Sequence, residues 1–153
     1  MIKKIRIAGK LEETILDIKL KDILECISNP LIYKWNLLWI EAIGTYEESI
    51  LDFESKVNHS NNGVQFEFDE LIKLSDSMDQ IIEMTLIADL GSENLIRYTT
   101  DDKMYKNCKY VIELIDSSFW EFTSSNFNDL EVIKQKFDGV SDVEYFDPDG
   151  SDM

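Results

Sequence analysis

The chain has 153 residues and carries 31 acidic against 15 basic side chains, a formal net charge of −16 at pH 7. A field of this sign repels phosphate backbones and anionic lipids, so it argues against nucleic acid and membrane surfaces as partners and favours a basic one. The hydrophobic content of 44% is too high for a disordered chain, so we expect a single globular domain over 1–147 and a disordered acidic tail over 148–153.

The charge is unevenly distributed along the chain. The first 22 residues hold six basic and four acidic side chains, a net of +2, whereas the remaining residues hold nine and 27, a net of −18. No Lys or Arg follows Lys136, although six acidic residues do. This acidic end is typical either of a solvated tail or of a surface that attracts a basic partner.

Alternating apolar and charged residues open the chain. Residues 4–7 and 16–20 show the two-residue period of half-buried strands, and the pair predicts an opening hairpin. From Asp22 the spacing changes to that of a short helix, which the Asn29-Pro30 pair ends.

The most apolar segment is 35–43, which is apolar on both faces and therefore predicts a central strand covered on each side. Thr45 and Glu48 have the spacing of a capping box ahead of a helix. The Asn62-Gly63 pair instead favours a hairpin with the following strand. Residues 49–58 therefore remain open between helix and strand.

The second half of the chain alternates predicted strands and helices joined by short connections. The patterns predict a helix over 69–78, a strand over 81–90, a mostly irregular 91–109, strands over 110–115 and 119–123, a helix from Asn128 or Asp129 to Phe137, and a strand over 140–146. There are too few crossover helices for a parallel sheet. The fold class predicted is α+β, a largely antiparallel sheet with a few short helices packed on it.

Few residues of the chain could support catalysis or hold a metal. His59 is the only histidine and lies in a polar loop, and no motif places a serine nucleophile beside it. Cys26 and Cys108 are isolated, which excludes a zinc cluster and predicts reduced structural thiols. The acidic stretch 147–152 lacks the spacing of an EF-hand, and the glycines form no phosphate-binding loop. We therefore expect no enzyme activity, no cofactor and no metal.

The sequence also lacks the segments that direct proteins to membranes. Charge returns at Lys10 before a signal peptide's apolar core could form, and Lys34 and Glu41 flank the most apolar run. No stretch approaches the ~18 apolar residues of a membrane span. The expected location is the cytoplasm.

Two segments carry a resemblance to a known class of proteins. Residues 110–123, followed by the helix that ends at Lys136-Phe137, resemble the β, β, α ending of small bacterial immunity proteins. The Asn62-Gly63 turn followed by 68–75 adds to this likeness, which covers about half of the chain. Those proteins neutralise toxins of polymorphic or contact-dependent growth inhibition systems, so the resemblance implies an antitoxin role and a basic toxin domain, such as a nuclease, as partner.

The strand over 119–123 supplies the first candidate binding residues. Trp120 and Phe122 lie on one face and are expected in the core, which turns Phe119 and Glu121 outward beside each other. The acidic end supplies the rest. The predicted partner-binding residues are Phe119, Glu121, Asp142, Glu144, Tyr145 and Asp147.

Two alternative functions remain at the level of sequence. A small carboxylate-dependent enzyme or a hard-cation-binding protein would use a concave pocket with two unequal carboxylates. A general acidic interaction module would bind a basic partner that is not a toxin. The oligomeric state is not indicated.

Overall fold

A computed structural model of the chain describes residues 1–9, 17–144 and 146–148. The described strands form a single sheet, and short helices pack against it. The strands are β1 (Lys3–Ile7), β2 (Lys34–Gly44), β3 (Val64–Phe66), β4 (Met78–Asp89), β5 (Tyr110–Ile115), β6 (Phe119–Ser124) and β7 (Val140–Asp142). The helices are α1 (Leu20–Leu24), α2 (Ile50–Asn58), α3 (Phe68–Ser77), α4 (Asp101–Asn107) and α5 (Phe127–Lys136), with a 3₁₀ turn over Pro30–Ile32.

The spatial order of the strands is β3-β2-β4-β5-β6-β1-β7, and every neighbouring pair is antiparallel. Both edge strands, β3 and β7, have only three residues. Short edges leave few unpaired backbone groups for another chain to join. The α+β class with a largely antiparallel sheet is confirmed.

The main core lies on one face of the sheet, here called the inner face. Trp35, Tyr110, Trp120 and Phe122 are buried there under α1, α2, α3 and α5. The indole of Trp120 donates to the carbonyl of Ile18 at 2.9 Å, so the ring is both packed and hydrogen-bonded. The predicted core position of Trp120 and Phe122 is confirmed.

The segment 49–58, which the sequence left open, is helical as α2. Ser49 caps it by accepting from the backbone N–H of Asp52, so the capping box expected at Thr45 and Glu48 does not form. The Asn62-Gly63 turn connects α2 to β3 instead of two strands. Gly63 has φ +87°, a conformation that other residues rarely adopt.

Side chains of α2 protect the backbone of β2 beyond the short strand β3. The Asn58 amide accepts from the backbone N–H of Ile40 at 2.9 Å and donates to its carbonyl at 3.0 Å, as a neighbouring strand would. Glu54 accepts from the N–H of Ala42 at 2.8 Å. The helix therefore continues the sheet's hydrogen bonding with side-chain atoms.

The predicted opening hairpin is wrong for the described residues. β1 pairs with β6 and β7, and the chain from 17 to 19 is not a strand. Leu20 begins α1, which buries Leu20, Ile23 and Leu24 on the inner face. Tertiary packing of this helix overrides the local alternation, and the predicted position Leu16 lies outside the described residues.

The sequence also missed a helix and misplaced some boundaries. Within the polar stretch 91–109, Thr100 caps α4 by accepting from the N–H of Lys103, and the helix buries only Met104 and Tyr105. So short an apolar stripe gave no helical signal. At α5 the cap is Asn126, because Asp129 is fully buried and accepts from Ser28 and Tyr110.

Both thiols are buried, as expected for structural cysteines. Cys26 follows α1 and Cys108 ends α4, and neither forms a disulfide. Burial raises the pKa of both thiols, that of Cys108 to about 11. His59 lies just past the last turn of α2, where its Nδ1 is 3.0 Å from the Ser55 carbonyl oxygen, and not in a hairpin.

Candidate functional site

The face of the sheet opposite the main core, here called the outer face, is covered over only part of its area. The covered half lies under α4 and the loop that precedes it, where Leu38, Ile87 and Val111 pack with Leu95 and Met104. The open half follows β2 and β4 away from α4 and carries Trp39, Glu41, Ile43 and Glu83. The two halves differ in whether cations of the described chain pair with their carboxylates.

The covered half contains two glutamates directly opposite each other, Glu113 on β5 and Glu121 on β6. Both are 8% exposed. Lys4 lies between them, with its Nζ 3.9 Å from Glu113 Oε1 and 3.6 Å from Glu121 Oε1. Arg6 donates to Glu121 Oε2 from Nε at 3.1 Å and from Nη2 at 2.8 Å. Two cations therefore balance the two carboxylates.

Tyr105 ties α4 to this charged cluster. Its hydroxyl donates to Glu113 Oε1 at 2.8 Å, and its ring centre lies 3.6 Å from Lys4 Nζ. Phe146 lies on the same ammonium at 4.9 Å. Burial raises the pKa of Glu113, and burial together with the Glu113 carboxylate raises the pKa of Tyr105. The cluster is a closed, internally balanced set of charges.

A β-bulge at Leu38 creates the open half. Leu37 pairs with Leu86 and Trp39 with Thr85, so Leu38 is an extra residue on β2. Both Leu38 and Trp39 consequently project from the outer face, whereas Leu37 and Ile40 project inward. Trp39 is 43% exposed. The expected covering of the central strand on both sides is therefore wrong for its second part.

The open half carries its own pair of opposed glutamates. Glu41 on β2 is the direct cross-strand partner of Glu83 on β4. Within the described residues no Lys or Arg forms an ion pair with either. Like charges directly opposite in a sheet repel and destabilise it. The exposed Ile43 lies two positions beyond Glu41, so apolar surface flanks the acidic pair on both sides.

The predicted partner-binding residues do not form one surface. Phe119 and Glu121 lie on the outer face, with the Arg6 guanidinium 4.1 Å above the Phe119 ring. Glu121 is buried and ion-paired, so the exposure on which its prediction depended is wrong. Asp142 points toward α5 and pairs with Lys134 at 3.0 Å, on the other side of the sheet.

The remaining predicted residues belong to the acidic end. Glu144 and Asp147 are exposed beyond β7, and Tyr145 lies outside the described residues. The sequence did not single out Trp39 or Glu83 as site residues. The one feature of the sequence that pointed to this surface is Glu41, an acidic residue inside an otherwise apolar strand.

A cavity with a volume of about 380 Å³ lies at the end of the sheet between α1 and α3. Met78, Ile81, Leu114 and Trp120 form its apolar wall. The opposed carboxylates Glu113 and Glu121 lie elsewhere, under α4, and not in this cavity. Among the described residues, no group of three or more His, Cys, Asp or Glu is placed to hold a metal ion.

No family model matches the chain, and no curated protein or solved structure shows significant similarity to it. None of the described helices combines the length and the apolar character needed to cross a membrane.

Proposed function

We propose that this chain is an inhibitor of the immunity-protein kind, which binds a basic toxin domain and neutralises it by protein-protein contact. No chemical step on the toxin is part of the proposal. The observation that carries it is the set of exposed carboxylates without an ion-pair partner, while several cations of the described chain are held in contacts within the fold.

Several cations of the described chain hold its own elements together. Lys4, Arg6 and Lys134 form ion pairs between strands or between strand and helix. Arg97 donates from Nη2 to the Val57 carbonyl at 2.9 Å, which fixes the end of α2. A cation bound in this way contributes little to the field that an approaching partner experiences.

Exposed carboxylates without an ion-pair partner are spread over the surface of the described chain. They occur on β2, before and within α2, at the start of α3 and at the start of α4. Examples are Glu41, Glu47, Glu48, Asp52, Asp69, Asp101 and Asp102. Such a surface accelerates encounter with a basic partner and rejects acidic ones. Rapid capture is what an inhibitor of a toxin requires.

The test first reads the gene beside the one for this chain, which we expect to encode a basic toxin domain, and then mixes that domain with this chain; a neighbouring gene that encodes no toxin contradicts the proposal. We expect tight binding that abolishes the toxin's activity, with an association rate that falls about tenfold between ~50 mM and ~500 mM salt. The dissociation rate should change much less, because long-range attraction acts on the encounter. Stopped-flow mixing measures both rates.

Two further results would contradict the proposal. One is the absence of binding to the adjacent toxin domain, and the other is an association rate that does not respond to ionic strength. Raising the concentration of sucrose instead of salt is the control for viscosity. It should slow association only as much as the higher viscosity slows diffusion.

A further inference from the structure

We propose that the open half of the outer face is the docking surface for the basic partner, which places a Lys or Arg side chain between Glu41 and Glu83 and apolar side chains on Trp39 and Ile43. This inference rests on the proposed function and names the surface that carries it out.

The side chains of the open half point away from the core. The bulge at Leu38 turns Trp39 out of the core, so that two residues in succession face outward. Trp39 is 43% and Ile43 is 52% exposed, whereas Trp35 and Trp120 are at most 1% exposed. Tryptophan is among the residues that contribute most to binding energy at interfaces.

The glutamate pair of the open half differs from the pair of the covered half in its surroundings. There, the opposed Glu113 and Glu121 have Lys4 between them and Arg6 beside them. Glu41 and Glu83 have the same cross-strand relation and no cation from the described chain. The same sheet face therefore shows that cations balance such a pair, and on the open half a basic partner can supply one.

Charge repulsion argues against a second copy of this chain as the occupant. A twofold contact through the open half would bring two glutamate pairs together between molecules that each carry a net charge of −16. Such an interface would desolvate four like charges without compensation. A partner with a basic, partly apolar surface has the complementary charge.

The size of the surface fits the centre of an interface. It spans two neighbouring strands, β2 and β4, whose backbones lie one strand spacing of about 4.8 Å apart. Specific interfaces bury about 800 Å² on each partner, with energetically important residues at the centre and a polar rim. The exposed acids on neighbouring elements supply that rim.

The experiment uses the full chain with the adjacent toxin domain as the probe. The variants are Glu41→Gln, Glu83→Gln and Trp39→Ala. Glu25→Gln is the matched control, because it removes the same charge from an exposed residue at the end of α1, on the inner-face side of the sheet. We expect affinity to fall about tenfold for each glutamate variant and more for Trp39→Ala, with a change below about twofold for the control.

Fluorescence quenching provides a second readout that does not depend on a substitution. Trp39 is the only tryptophan with an exposed ring, so acrylamide quenching reports on it. Bound toxin should protect it. In the free chain, caesium should quench Trp39 more than iodide does, and Glu83→Gln should reduce that preference while Glu25→Gln leaves it.

The outcomes separate this inference from the proposed function. Tight binding of the toxin with unchanged affinity in the three variants and no protection of Trp39 would overturn the docking surface and leave the proposed function standing. Absence of toxin binding by the wild-type chain would overturn both. A wild-type dimer in sedimentation that Trp39→Ala disperses would also overturn the docking surface, because a second copy would then occupy it.

Discussion

The two halves of the outer face contain the same motif, two glutamates opposite each other on neighbouring strands. The surroundings of the two glutamate pairs differ. In the covered half the pair is buried, and Lys4, Arg6 and the Tyr105 hydroxyl contact it. In the open half Glu41 and Glu83 have neither a cover nor a cation of the described chain. The comparison shows that this fold can neutralise such a pair with its own cations, and that it leaves the other pair accessible to a partner.

The difference follows from how much stability a carboxylate without a cation costs at each position. A buried carboxylate without compensation is strongly destabilising, so Glu113 and Glu121 require their cations for the protein to fold. A solvated pair repels only weakly, by about 0.2–1 kcal/mol. Evolution can therefore keep the open pair unbalanced at a small loss of stability.

The largest expected effect comes from removing the cation of the covered half. Lys4→Met leaves Glu113 and Glu121 buried with only Arg6 to balance them. We expect the free energy of unfolding to fall by about 3 kcal/mol, measured by urea denaturation at neutral pH. Lys3→Met, one position earlier on the same strand and exposed, is the control and should change it by less than about 0.5 kcal/mol. Equal costs for the two variants would show that the covered half does not depend on its cation.

An intermediate effect should appear in the pH dependence of the covered half. Burial raises the pKa of Glu113, so the folded protein holds this proton more tightly than the unfolded chain does. The stability that the protonated form contributes is complete below the ordinary pKa of 4.5 and is lost as pH rises through the raised pKa. The stability of the wild type relative to Glu113→Gln should therefore decline as pH rises above 4.5.

Thermal unfolding of both proteins across this pH range measures the decline. Taking the difference between the two proteins removes the contributions of the other carboxylates, which both share. A difference that stays constant with pH would contradict the role assigned to burial.

The smallest expected effect, and one of opposite sign, belongs to the open half. Glu41→Gln or Glu83→Gln should raise the free energy of unfolding by about 0.2–1 kcal/mol, because either change removes the same repulsion. The double variant serves as the internal control and should gain little beyond either single variant. Chemical denaturation at low salt gives the values. Loss of stability in both single variants would show that the pair is balanced after all.

Most elements of the fold were readable from local patterns. Strands β2, β4, β5 and β6 and helices α3 and α5 lie within a few residues of their predicted positions. In these segments burial on one or both sides leaves a strong periodic signal. Helix α4 was missed because its apolar stripe is only Met104 and Tyr105, and the segment 17–20 was read as a strand because its alternation is local whereas its packing is not.

The candidate site was much less predictable. Glu121 was chosen for exposure, yet Lys4 and Arg6 approach it across the β1 and β6 pairing, from more than a hundred residues away in sequence. An undistorted strand over 35–43 would place Trp39 on the same face as Trp35 and Leu37, in the interior. The bulge that turns it outward is set by pairing with β4.

By itself, the sequence determined the excess of negative charge, the alternation of strands and helices and the identity of the inner core, because these depend on composition and on the periodicity of neighbouring residues. The tertiary structure decided which carboxylates are balanced and which are open. That outcome depends on cross-strand register, on the bulge at Leu38 and on where α4 lies. Each of these joins residues that are distant in the chain, and local periodicity carries no information about such pairings.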